Sequence, residues 1–83
     1  MDFLLKTEQI VIEAKVARKG HVAKQISDEL IIDVARYREH RDCGCLVCVV
    51  YDPDGMIGNP RGVEADLRKL SDSRLEVTVI IVP

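Results

Sequence analysis

No apolar run in this chain approaches the ~20 residues that a membrane-spanning helix needs. The N-terminus also lacks the basic start and long apolar stretch of a secretion signal, so the expectation is a cytoplasmic protein with no membrane partner. Cationic residues are not in excess: twelve Lys and Arg stand against fourteen Asp and Glu, a net charge of −2. That balance excludes a protein that coats nucleic acid by bulk electrostatics, which requires a basic surface. With only three cysteines in a chain read as cytoplasmic, a disulfide framework is not expected. No glycine-rich loop joins a strand to a helix, which counts against a phosphate-accepting or nucleotide-binding α/β domain. Internal repeats, low-complexity tracts and interdomain linkers are likewise missing. What is present is an 83-residue chain, 47% hydrophobic and 31% charged, the composition of a globular protein. It is one domain with a single core, and at this length folding buries only about 60% of the surface that the unfolded chain exposes.

The local pattern divides the chain cleanly. Asp2 to Leu5 reads as a short strand, Lys6-Thr7-Glu8 as a polar turn, and Gln9 to Val16 as a strand rich in β-branched residues, so the three form a hairpin. Arg18-Lys19-Gly20-His21 breaks the pattern. A helix is expected from about Val22 to His40, because Val22, Ile26, Leu30, Val34 and Tyr37 recur at three- and four-residue spacing, with Ala23, Ile31 and Ala35 widening the stripe. Cys45 to Tyr51 is almost unbroken apolar sequence, the mark of a central strand buried on both faces. Asp52-Pro53-Asp54-Gly55 is a turn. Asn59-Pro60 supplies an N-cap and a first-turn proline for a second helix, about Pro60 to Leu70. Leu75 to Val82 is the last strand. The order β-β-α-β-α-β, with helices before the third and fourth strands, implies crossover connections and a mixed four-stranded sheet of α/β (α+β) class covered by two helices.

Within that frame the first fifteen residues carry the chemistry. In an antiparallel hairpin Asp2 lies across from the end of the second strand, close to Glu13, and alternation puts Glu13 and Lys15 on one face while Ala14 points away. Two carboxylates suit Mg2+ or Mn2+, hard cations that bind to one or two acids and keep several waters. The charge distribution agrees: residues 1 to 24 hold five Lys and Arg against three acids, and the remaining residues seven against eleven. A site that handles phosphodiesters requires that local excess of positive charge; ordinary fluctuation on a solvated surface accounts for so small an excess equally well.

These residues resemble the PD-(D/E)xK nuclease superfamily, the restriction-endonuclease-like fold. The likeness rests on Asp2-Phe3-Leu4-Leu5, on Ile10-Val11-Ile12-Glu13-Ala14-Lys15, and on the helix with Leu30-Ile31-Ile32-Asp33 and Tyr37. It continues through Cys48-Val49-Val50-Tyr51-Asp52-Pro53 and Asn59-Pro60, and so covers nearly the whole chain. The resemblance implies Asp2 as the first metal-binding acid, Glu13 as the second, the backbone carbonyl of Ala14 in the metal sphere, and Lys15 orienting or helping to deprotonate the attacking water. It implies hydrolysis of nucleic acid, DNA above RNA. It also implies a helix and a strand ahead of the first acid, so the expectation is a shortened member, or a remnant that folds without cutting.

Other readings compete. His40, Cys43, Cys45 and Cys48 offer zinc-type ligands, but Cys45 and Cys48 would point to opposite faces of one strand, and a thiol inside an apolar strand behaves as a small hydrophobe. Lys19, His21 and Lys24 are candidates to meet phosphates at the helix start, with solvated charges as the plainer account. Glu29 and Asp33 share one helix face; Glu29 is an accessory candidate, and a plain surface acid is the simpler reading. Tyr51 is assigned to the rim of the core. The alternative function is a non-catalytic assembly module that pairs with itself or another chain through an exposed sheet edge, driven by residues 9 to 16 or 75 to 82.

Overall fold

The computed structural model of the chain describes residues 2–5, 9–19, 23–40 and 43–83, residues 2 and 3 by their backbone alone. Six elements follow in order: β1 (Asp2–Leu5), β2 (Ile10–Val16), α1 (Ala23–Arg38), β3 (Cys45–Tyr51), α2 (Pro60–Arg68) and β4 (Glu76–Val82). The strands form one sheet in the order β1-β2-β3-β4. β1 is antiparallel to β2, and the β2/β3 and β3/β4 pairs are parallel. This is the mixed α/β sheet with two helices that the sequence pattern implies.

The topology decides which face is covered. Both crossovers step the same way across the sheet, from β2 to β3 and from β3 to β4. Since such connections are right-handed in nearly all proteins, they deliver both helices to the same face. On that face lie the rows Val11/Leu46/Val77, Glu13/Cys48/Val79 and Lys15/Val50/Ile81, set by the strand registers. Seven of those nine are buried apolar residues that join Ile26, Leu30 and Val34 of α1 and Leu67 of α2 in the core. The opposite face carries Ile12, Val47, Val49, Val16, Tyr51 and Ile80, of which the last three of this set are exposed. The expectation that β3 is buried on both faces therefore needs correction: among the described residues only the helix side is covered, and β3 alternates half-buried with buried side chains.

Element ends differ from the sequence reading for local reasons. Gln9 has φ 58°, and its carbonyl accepts from both Gly44 (2.7 Å) and Cys45 (3.1 Å), so it is a bend and β2 starts at Ile10. The expected turn at 6–8, and Val22 at the helix start, lie outside the described residues. Glu39 and His40 donate to Arg36 and Tyr37, three residues back, a tightened final turn beyond the α-helix proper. Lys69, Leu70 and Ser71 do the same after α2. Leu75 is fully buried, yet its backbone is engaged with Asp72, which receives its N–H at 2.9 Å and donates to its carbonyl at 2.9 Å, so β4 begins at Glu76.

Candidate active site

Strand register brings the two acids together. Asp2 pairs with Glu13 across β1 and β2. Glu13 lies on the helix-covered face, where it is 6% exposed. Ala14 adds a backbone group. Ala17 N–H and the Gln9 carbonyl both bond on the β3 side, and peptide groups alternate along a strand, so those of residues 10, 12 and 14 face β1. The described part of β1 ends opposite Glu13, and the Ala14 carbonyl points to the side just beyond it.

Lys15 lies one pleat along from Glu13, its side chain 11% exposed, beside Val50 in the strand register. Its Nζ stands 3.5 Å from Glu13 Oε1, 3.2 Å from Glu29 Oε1 and 3.0 Å from Asp33 Oδ2. The Asp33 contact is close but off the hydrogen-bonding direction, since no aligned donor meets Oδ2; it is an ion pair. Burial alone would lower the Lys15 pKa, but the contact with Asp33, the charges of Glu13 and Asp33, and the bond to Glu29 outweigh it and hold the ammonium above its ordinary range. Lys15 is a fixed cation at neutral pH.

The helix acids are the part of the site that sequence reasoning underrated. Asp33 is 8% exposed, and its other oxygen, Oδ1, receives Arg36 Nη2 at 3.3 Å. Arg36 in turn reaches the Tyr37 hydroxyl at 3.2 Å and lies 4.7 Å from the centre of its ring. Asp33 thus sits between a buried and an exposed cation, and is no surface acid. Glu29, the accessory candidate, does reach Lys15, from a more open position (42% side-chain exposure).

The remaining candidates fare unevenly. Lys19 is exposed, Lys24 pairs with Asp28 at 3.0 Å on the outer side of α1, and His21 lies outside the described residues. Cys48 projects to the covered face and Cys45 to the open one, as alternation requires, so the two cannot share an ion. Asp52 anchors its turn by accepting from Met56 (2.8 Å) and Ile57 (2.9 Å). Among the described residues no group of three His, Cys, Asp or Glu side chains is arranged to hold a metal ion; of the acid pair, Asp2 is placed by its register. An all-oxygen donor set of Asp2, Glu13 and the Ala14 carbonyl fits a hard divalent cation and not zinc.

A mixed sheet with an acid on one strand, Glu-x-Lys on the next and a crossover helix over them is the architecture of the restriction-endonuclease-like nucleases. A family model described as REase_DpnII-MboI matches residues 1–83, and the chain belongs to this DpnII-MboI restriction endonuclease family. The family is one of DNA nucleases. No curated protein and no solved structure matches the chain. Among the described residues no helix is long and apolar enough to cross a membrane.

Proposed function

We propose that this chain is a metal-dependent DNA nuclease domain in which Asp2, Glu13 and the Ala14 carbonyl hold Mg2+ or Mn2+ and Lys15 supplies a fixed positive charge. The observation that carries the proposal is the register of Asp2 opposite Glu13, with Lys15 on the same face two residues on. When bound, the ion polarises a phosphoryl oxygen and lowers the pKa of its water. Lys15, held protonated by its acids, orients that water and the scissile phosphate and offsets the charge that develops on the phosphoryl oxygens. The low exposure of the Lys15 and Glu13 side chains strengthens the charge interaction between them. Lys19, His21 and Lys24 are proposed backbone contacts. The Lys24–Asp28 pair is exposed and so contributes roughly 0–1 kcal/mol, little enough for a phosphate to replace it.

Nicking of supercoiled plasmid by the full chain in Mg2+ or Mn2+ tests this. Glu13→Gln and Lys15→Gln are each expected to lower the rate by at least about 10²-fold, with the fold retained by circular dichroism. A folded wild-type chain that neither cuts DNA nor binds Mn2+ overturns the proposal. The second reading, a homodimer or assembly module, is favoured by the uncovered apolar face and by the edge strand β1. The expected edges need correction, however: β1 flanks β2 from Ile10 to Glu13, so over that stretch β2 lies inside the sheet and only its end beyond Glu13 offers an edge.

A further inference from the structure

We propose that Asp33, assisted by Glu29, is a positioning residue that anchors Lys15 on the helix so that lysine and divalent ion do not compete for Glu13. The inference rests on the metal-binding reading above and concerns residues to which that reading gives no role. Three acids surround one ammonium, and the separations rank them: Asp33 at 3.0 Å, Glu29 at 3.2 Å, Glu13 at 3.5 Å. The two shorter contacts come from α1, the longest from the strand acid that the ion needs. An ion arriving beside Glu13 brings two positive charges to within a few ångströms of Nζ. In a buried setting that repulsion is large, because little water is present to screen it. Lys15 must then lean on other acids. Asp33 is placed for this: it is buried on α1, one turn from Glu29, and its second oxygen is tied to Arg36 at 3.3 Å, which fixes the carboxylate from the solvent side.

Without Asp33 the nearest buried negative charge for Lys15 is Glu13. The ammonium would settle there as an internal substitute for the ion, and the ion would have to displace it. Asp33 therefore acts on the ion through Lys15, beyond the general attraction that any nearby acid exerts. These two effects separate in a cycle, because the first disappears when Lys15 is neutral and the second does not.

The measurement is Mn2+ binding to the full chain at neutral pH, by calorimetry and by the electron paramagnetic resonance of free Mn2+, for wild type, Asp33→Asn, Lys15→Gln and the double variant. Asp33→Asn is expected to weaken Mn2+ binding at least tenfold when Lys15 is present and less than threefold in the Lys15→Gln background. Glu29→Gln, at a half-buried position more open than that of Asp33, is expected to weaken it by a smaller factor that likewise vanishes without Lys15, and it carries the test if Asp33→Asn does not fold. Equal weakening in both backgrounds, or none in either, overturns the inference while leaving the ion site intact. Mn2+ binding that is absent, or unaffected by Glu13→Gln, overturns the metal-binding reading itself.

Discussion

At the residue scale the site shows what alternation reveals and what it hides. The shared face of Glu13 and Lys15, and the place of Asp2 near Glu13 in the register, were legible because a period of two and a short hairpin fix strand positions. Asp33 was harder, since polar positions on a long helix look like a solvated side. Two signals were nevertheless there. Counting Ile26, Leu30, Asp33, Tyr37 gives steps of four, three and four, so Asp33 falls inside the apolar stripe. Glu29 and Asp33 are like charges one turn apart, a pairing that costs a few tenths of a kcal/mol and calls for a cation from outside the helix. Cysteine offers a pH-dependent check at this scale. Cys43 and Cys48 are buried and Cys45 is half-buried on the open face. Burial pushes the Cys45 thiol up, and the carboxylate of Glu76, its partner across the β3/β4 register, pushes it further. A raised pKa means less thiolate at a given pH, so labelling by a disulfide reagent at pH 8 is expected to touch Cys45 first, more slowly than a free thiol, and to keep accelerating above the ordinary thiol range. Glu76→Gln should speed it at pH 8 and move the midpoint of the rate profile down. An unchanged profile would show that the cross-strand charge does not reach the sulfur.

At the element scale, the order of strands and helices was readable because each carries its own period and punctuation, whereas the ends were set by bonds that local sequence does not announce. Gln9 stays out of β2 because Gly44 and Cys45 claim its carbonyl, and Leu75 stays out of β4 because Asp72 holds it. The start of α2 illustrates a local rule that worked. Asn59 accepts the Gly62 N–H at 3.2 Å, with Pro60 in the first turn, as its sequence predicts. The same cap sets a conflict at Gly62, where an added Cβ would stand 2.4 Å from Asn59 Nδ2. Replacing a helical glycine by alanine stabilises by about 0.5–1 kcal/mol, and losing an asparagine cap costs about 1 kcal/mol. Gly62→Ala is therefore expected to be close to neutral in the wild type, because the alanine displaces its own cap. In an Asn59→Ala background, where there is no cap to displace, it should stabilise by about 0.5–1 kcal/mol. Urea denaturation of the four proteins checks the cycle; equal effects of Gly62→Ala in both backgrounds would mean that the cap tolerates the methyl group.

At the scale of the whole molecule, the sheet has two edges of different character, and no local pattern distinguishes them. Residues 77, 79 and 81 of β4 turn their backbone groups outward, since the Val82 carbonyl is taken by Asp52 on the β3 side. Two of these three positions are closed by side chains. The Ser71 hydroxyl accepts the Val77 N–H at 2.8 Å and donates to the Val77 carbonyl at 3.1 Å. Glu64 accepts the Ile81 N–H at 2.7 Å, and Arg61 donates to the Ile81 carbonyl at 3.0 Å. Arg61 and Glu64 are themselves paired at 3.0 Å, so together they stand where a neighbouring strand's peptide group would be. This explains a buried acid, Glu64, with no chemistry around it, and it corrects the expectation that residues 75 to 82 offer a ready edge for assembly. An unpaired edge invites another chain, so removing the plug should have two effects at once. Glu64→Ala leaves the Ile81 N–H without its acceptor and is expected to cost about 1–3 kcal/mol. It should also make sedimentation velocity concentration-dependent, as copies add strand to strand along β4. Glu64→Gln keeps an oxygen that can accept the same N–H while losing the charge that holds Arg61, and should lose less stability and associate less. If Glu64→Ala sediments as the wild type does at every concentration, the plug contributes to stability alone, and any self-association of this chain must use β1 or the uncovered face instead.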